Sequence, residues 1–173
     1  QEPRLLPWRT VAENVALPLA GEPAEPQNRT RALAALDSVG LAAEAGTFPR
    51  ALSLGMARRV ALARAIAVDP QLLILDEPFV SLDETSAAAM RARVARVAGA
   101  LRATVILVTH DLDDALELAG RVIRLDGTPA RIAADVSLEA PPAARGADWR
   151  KAAAARIRAV SDGGFAKAAG SPI

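Results

Sequence analysis

The sequence predicts an α/β fold: a helical lobe first, then a parallel sheet core with flanking helices. Three observations predict it. Up to Val68 the apolar residues recur at helical spacing, behind residues that cap helices. After Pro70 the period changes, and "LLIL" (72–75) and "TVILV" (104–108) are short continuous apolar runs, the pattern of strands buried on both faces. A long helical stretch separates the runs, so strand, helix and strand form a parallel unit with a right-handed crossover.

Taken in order, Thr10 and Glu13 have capping-box spacing and start a short helix in "VAENVALPLA". "GEPAEPQN" (21–28) reads as a polar loop, and "RTRALAALDSVG" as a helix stopping at Gly40. "TFPRALS" is a connector whose Ser53 caps the helix "GMARRVALARAIAV". Met56, Val60, Ala63 and Ala67 share one face of that helix, with Arg58 and Arg64 directed elsewhere. Arg58, Arg59 and Arg64 read as a solvated helix face more readily than as a basic patch. After the first strand, Ser81 and Glu84 have capping-box spacing ahead of the helix ending near Leu101. "DLDDALELAG" is a helix with acids in its first turn, where the dipole favours them. "RVIRLDGTPARIA" reads as a hairpin around Asp126-Gly127. From Pro141 an Ala/Arg-rich tail reads as a loose helix or disorder, and its Trp149 as a packing residue.

Composition narrows the function classes. The 173 residues are 51% hydrophobic and 24% charged, as in a soluble globular protein, with aromatics at 3% and alanine abundant. A net charge of +1 argues against nucleic-acid binding or a polybasic membrane anchor. There is no cysteine, so no disulfide or thiol chemistry. No apolar run approaches the ~20 residues of a spanning helix. The chain starts at Gln1 without a signal pattern, and its N-terminus reads as the cut edge of something longer.

Ligands of open α/β sheets sit at the carboxyl ends of strands. Asp76 and Glu77 lie at one such end, and His110, the single histidine, at its neighbour's. A strand-end Asp suits Mg²⁺, a second carboxylate can orient or deprotonate water, and an imidazole can steady developing charge. The plainer alternative is that the two acids cap the following loop and His110 caps a helix.

"LSLGM…ARAIAVDPQLLILDEPFVSLDE…VILVTHD" resembles the nucleotide-binding subunit of ATP-binding cassette (ABC) transporters, a P-loop NTPase-like fold. The motifs run in family order: signature, Walker B strand, D-loop, switch histidine. "QEPRLLPWRTVAENV" resembles the Q-loop and the segment after it, and its wording is most similar to the nitrate/sulfonate/taurine importer branch. The resemblance implies three stretches: a Q-loop and helical signature part (1–68), a catalytic core portion (69–133) and a C-terminal tail (134–173). It implies ATP and Mg²⁺ as ligands, with Asp76 on the metal, Glu77 as catalytic base and His110 on the γ-phosphate. Gln1 would reach the metal and the attacking water. Ser53 and Gly55 would contact ATP held by a second copy, and Asp83 would meet that copy. Trp8, Leu5 and Leu6 would lie near the groove for a transmembrane permease. Further implied are a periplasmic solute-binding protein acting indirectly, and a place on the cytoplasmic face of the membrane.

Two departures stand out. The family usually has Gly where this chain has Leu54, and a branched side chain bears on how closely the backbone can approach a phosphate. No G-x-x-x-x-G-K-[ST] occurs in the 173 residues, although the family's phosphate cradle lies upstream of the Q-loop. The expectation is a loop missing by truncation, with negligible ATPase activity in this chain alone. A non-transport ABC-type ATPase and a non-enzymatic remnant docked on a permease are the alternative readings.

Overall fold

The computed structural model describes residues 2–101 and 103–159. Gln1 therefore lies outside the described residues. The chain divides into two compact units, Gln1–Val108 and Thr109–Ile173.

The first unit opens with α1 (Val11–Ala16), capped as the spacing predicts. Thr10 Oγ1 accepts from Glu13 N, and the Glu13 carboxylate accepts from Thr10 N at 2.7 Å. The bond from the Thr10 backbone, helped by the Thr10 hydroxyl, holds the Glu13 pKa below its ordinary 4.5. A carboxylate with a depressed folded pKa adds stability above its unfolded pKa and loses it as pH falls through the folded value. Acidification below about pH 4.5 is therefore expected to open this cap, read as faster exchange of the Thr10 amide. Glu13→Gln, which keeps an acceptor, should remove most of that acid dependence.

α2 (Pro26–Ser38) begins three residues before the expected helix start, because Pro26 fills the first turn, where its missing N–H costs nothing. It ends in a Schellman turn, with Leu41 N bonded to Leu36 O, Gly40 N to Asp37 O, and Gly40 at φ +68. α3 (Leu54–Ile66) is capped by Ser53, whose Oγ accepts from Met56 N at 3.2 Å. The three helices share one core, in which Val11, Val15, Leu36, Val39, Leu41, Val60 and Ala63 are buried.

β1 (Leu72–Asp76) and β2 (Thr104–Val108) pair in parallel, Ile74 with Ile106 and Asp76 with Val108, joined by α4 (Glu84–Ala100). Two expectations are corrected here. The strands are not buried on both faces: Leu73 is buried, but Leu72 and Ile74 are 51% and 58% exposed, beside exposed Ile106 and Val108. A two-stranded sheet covered on one side leaves its other pleat open, whatever its hydrophobicity. The cap of α4 is Asp83, not Ser81. Asp83 Oδ1 accepts from Ser86 N at 3.0 Å, while Ser81 sits in the preceding turn at φ +59.

In the second unit, α5 (Leu112–Leu118) is capped by Asp111 and followed by β3 (Arg121–Asp126) and β4 (Arg131–Ser137). The hairpin forms as expected, but among the described residues β3 pairs only with β4, antiparallel, and adds nothing to the β1–β2 sheet. α6 (Ala147–Ala159) corrects the expectation of a loose tail, because Ile157 is buried with Leu116, Ala134, Val136 and Leu138, and Trp149 packs against them.

Candidate nucleotide-handling residues

β1 carries Asp76 out on its last exposed position, and the chain then turns sharply. Glu77 has left the strand: its φ is +46, a conformation that non-glycine residues adopt rarely. Its N–H donates to Val108 O at 2.9 Å, which ties the acid to the end of β2. A left-handed turn, rather than the alternation of a strand, thus aims the second acid.

The loop continues through buried Phe79 and left-handed Ser81 to Asp83. The Asp83 carboxylate is engaged in capping α4. Its bonds to Ser86, side chain first and backbone second, hold its pKa below the ordinary 3.8. This loop lies beside the turn that starts α3. A methyl placed on Gly55 would meet only Leu82 Cδ2, at 3.9 Å, an ordinary contact. Packing therefore does not require glycine at position 55. Gly55→Ala is expected to raise stability by about 0.5 kcal/mol, because alanine restricts the unfolded chain and suits a helix. Urea denaturation checks it, and a clear loss would mean that the fold itself needs this glycine. Leu54, in the same turn, is 49% exposed and contributes little to the core.

Arg58, Arg59 and Arg64 form neither a solvated face nor a basic patch. Each donates to loop carbonyls: Arg58 to Val80 O, Arg59 to Val39 O at 3.3 Å, and Arg64 to Pro3 O at 2.7 Å and Arg4 O at 3.1 Å. Desolvation lowers the pKa of all three. The correction has a simple cause: a long guanidinium can cross a helix surface and satisfy backbone acceptors that a sequence pattern does not reveal.

His110 belongs to the second unit. With Asp111, Leu112, Asp113, Arg124, Ile157 and Arg158 it lines a cleft of about 440 Å³. The turn after it is tightly bonded, with Asp111 N donating to Thr109 Oγ1 at 3.0 Å and Asp113 N to Asp111 Oδ1 at 2.8 Å. Thus Asp111, not His110, caps α5. Trp8 is exposed, and Leu5 and Leu6 precede it in the segment held by Asn14 and Arg64.

Two residues that order the molecule are not singled out by the sequence motifs. Asn14 is fully buried and Arg145 nearly so. The available signal for Asn14 was a polar amide in the middle of an apolar helix stripe, the informative kind of exception. Arg145 offered no signal within an Ala/Arg-rich tail.

Among the described residues, no helix is long and apolar enough to cross a membrane. Residues 1–80 match the family described as ABC transporter. The aliphatic sulfonates import ATP-binding protein SsuB 2 of Frankia alni is 53% identical over 125 residues, covering 72% of this chain and 49% of that protein. The aliphatic sulfonates import ATP-binding protein SsuB of Granulibacter bethesdensis is 45% identical over 148 residues, covering 86% of this chain and 60% of that one. A dimeric ATP-binding cassette solved in a post-hydrolysis state with ADP and Pi is 31% identical at a TM-score of 0.68, over 82% of this chain and 62% of that one. The chain spans about half the length of the curated relatives it matches. With the Ser53-capped turn of α3, the strand-end acids and the parallel strand–helix–strand unit all present, the chain belongs to the ABC transporter ATP-binding family and carries part of the ABC ATPase fold.

Proposed function

We propose that this chain is part of the ATP-binding subunit of an importer that moves a small organic anion, an aliphatic sulfonate in first place. The observation that carries the proposal is the loop from Asp76 to Asp83, which starts with two acids at a strand end and comes close to Gly55 through Leu82. The solute class rests on the sulfonate importers to which the chain is similar.

Asp76 would hold Mg²⁺. Among the described residues no group of three or more potential ligands could hold a metal alone. One exposed carboxylate fits an ion that takes its other oxygens from phosphates and water. The magnesium–ATP complex, when bound, supplies the phosphoanhydride and a cation to neutralise it. Glu77 would accept a proton from the attacking water, and His110 would donate to the γ-phosphate. Gln1 would contact the metal and that water. The Ser53 hydroxyl, whose oxygen already accepts from Met56 N, keeps its own proton to donate to a phosphate of ATP held mainly by a second copy, and Gly55 lets backbone approach it. Asp83 would face that copy. The further partners are a permease, reached through the Leu5–Trp8 segment on the cytoplasmic side, and a periplasmic solute-binding protein.

The test grafts residues 1–133 onto the upstream portion of the Frankia alni relative, in place of its own. The chimera is expected to release phosphate from ATP and to support growth on an alkanesulfonate as sulfur source in cells lacking their own import ATPase. Glu77→Gln should lower turnover by at least about a hundredfold. The 173-residue chain alone should release phosphate at the background rate. Turnover that survives Glu77→Gln would remove Glu77 from its role, and hydrolysis without sulfonate-dependent growth would discard the solute class.

A further inference from the structure

α3 carries Ser53 and Gly55 at its start and Arg58 one turn further on. Arg58 is buried, pairs with no carboxylate among the described residues, and leaves its Nε without an acceptor. A buried cation held this way is a costly filling for a helix face, and an uncharged side chain of similar length would bury more cheaply. What methionine cannot do is donate to Val80 O, as Arg58 does. Val80 stands in the middle of the 77–83 loop. That loop contains two left-handed non-glycine residues, Glu77 and Ser81. Its own closing bonds are long, Val80 N to Glu77 O at 3.4 Å and Leu82 N to Phe79 O at 3.3 Å. Strained backbone of this kind persists only where its surroundings hold it.

We propose that Arg58 is a positioning residue whose hydrogen bond to the Val80 carbonyl holds the loop of Glu77 and Asp83 in register with the turn of Ser53 and Gly55. The two sets of residues then move as one body with α3. The bearing of this link on ATP chemistry rests on the function proposed above, whereas the link itself does not.

The experiment is hydrogen exchange by mass spectrometry on the 173-residue chain without nucleotide, together with its melting temperature. Arg58→Met is expected to speed exchange in 77–83 about tenfold or more, the order expected when a hydrogen bond to a charged group is lost. Its melting temperature should stay equal or rise. Arg58→Lys, which keeps a donor, should restore most of the protection. Arg59→Met, whose parent side chain bonds Val39 O and Gly40 O, should leave 77–83 unchanged. Unchanged exchange in Arg58→Met overturns the proposal. So does loosening that comes with a lowered melting temperature, or that the lysine does not rescue, because Arg58 would then be a packing residue. None of these outcomes depends on ATP, so failure of the nucleotide reading appears separately, in the chimera.

Discussion

Asn14→Ala is expected to destabilise the first unit by about 3 kcal/mol, a large share of a typical domain's stability. Asn14 is fully buried, and its amide satisfies four backbone groups at once. Its Oδ1 accepts from Leu6 N at 2.7 Å. Its Nδ2 donates to Leu6 O at 3.1 Å, Arg9 O at 3.1 Å and Thr10 O at 3.0 Å. Leu6 O and Thr10 O keep backbone donors, Arg9 N and the N–H of residue 14, but alanine takes the side-chain partner from Leu6 N and Arg9 O, and an orphaned polar group costs more than a hydrogen bond contributes. Asn14→Asp should be no better, because it keeps the acceptor for Leu6 N but turns a carboxylate toward three carbonyl oxygens. Urea denaturation measures the loss, and exchange should accelerate first in residues 5–10. A loss below about 1 kcal/mol would mean that the segment holds without its clasp. The functional consequence comes from position, since this segment contains Leu5, Leu6 and Trp8, the surface proposed to face a permease.

Arg145→Met is expected to cost the second unit a similar amount, about 3 kcal/mol. The Arg145 guanidinium donates to Leu116 O at 2.8 Å and Ala119 O at 2.7 Å, carbonyls at the end of α5 that have no partner within the helix. It also donates to Ala140 O at 2.8 Å and Leu138 O at 3.4 Å, and lies 5.2 Å from the centre of the Trp149 ring. Desolvation, then the nearby Arg150, lowers its pKa. Several carbonyls are thus answered by one planar fork, which explains why a charge is tolerated at 3% exposure. Arg145→Lys should recover less than half of the loss, because one ammonium cannot reach acceptors spread around a plane. Thermal unfolding followed by Trp149 fluorescence in a Trp8→Phe background checks both variants. Equal stability of Arg145→Met and the parent would show that α6 is held by its apolar contacts alone.

Much of this architecture is legible in local chemistry. Thr10 with Glu13, Ser53, Gly40 and the Asp126-Gly127 turn are signals that act within four residues, and each does locally what its residue type favours. The acids at 76 and 77 were legible as a strand end because the apolar run stops there. Other features escaped. Ser81 and Glu84 have the right spacing for a capping box, but Asp83 also offers a short acceptor one residue before the helix and takes the role. "LLIL" and "TVILV" describe how apolar the strands are, not how many layers cover them. The arginines of α3 look alike in sequence, yet each finds a different loop.

The division comes from the range of the forces. Most helix starts, stops and turns, and the order of the motifs, depend on neighbours a few residues away, so the sequence alone determines them, and with them the family and the identity of the candidate residues. The left-handed aim of Glu77, the open pleat of Ile74, the grip of Arg58 on Val80 and the buried forks of Asn14 and Arg145 depend on carbonyls and layers brought close only by folding. Only the tertiary structure decides them, because a backbone acceptor carries no mark in the sequence of which side chain will reach it.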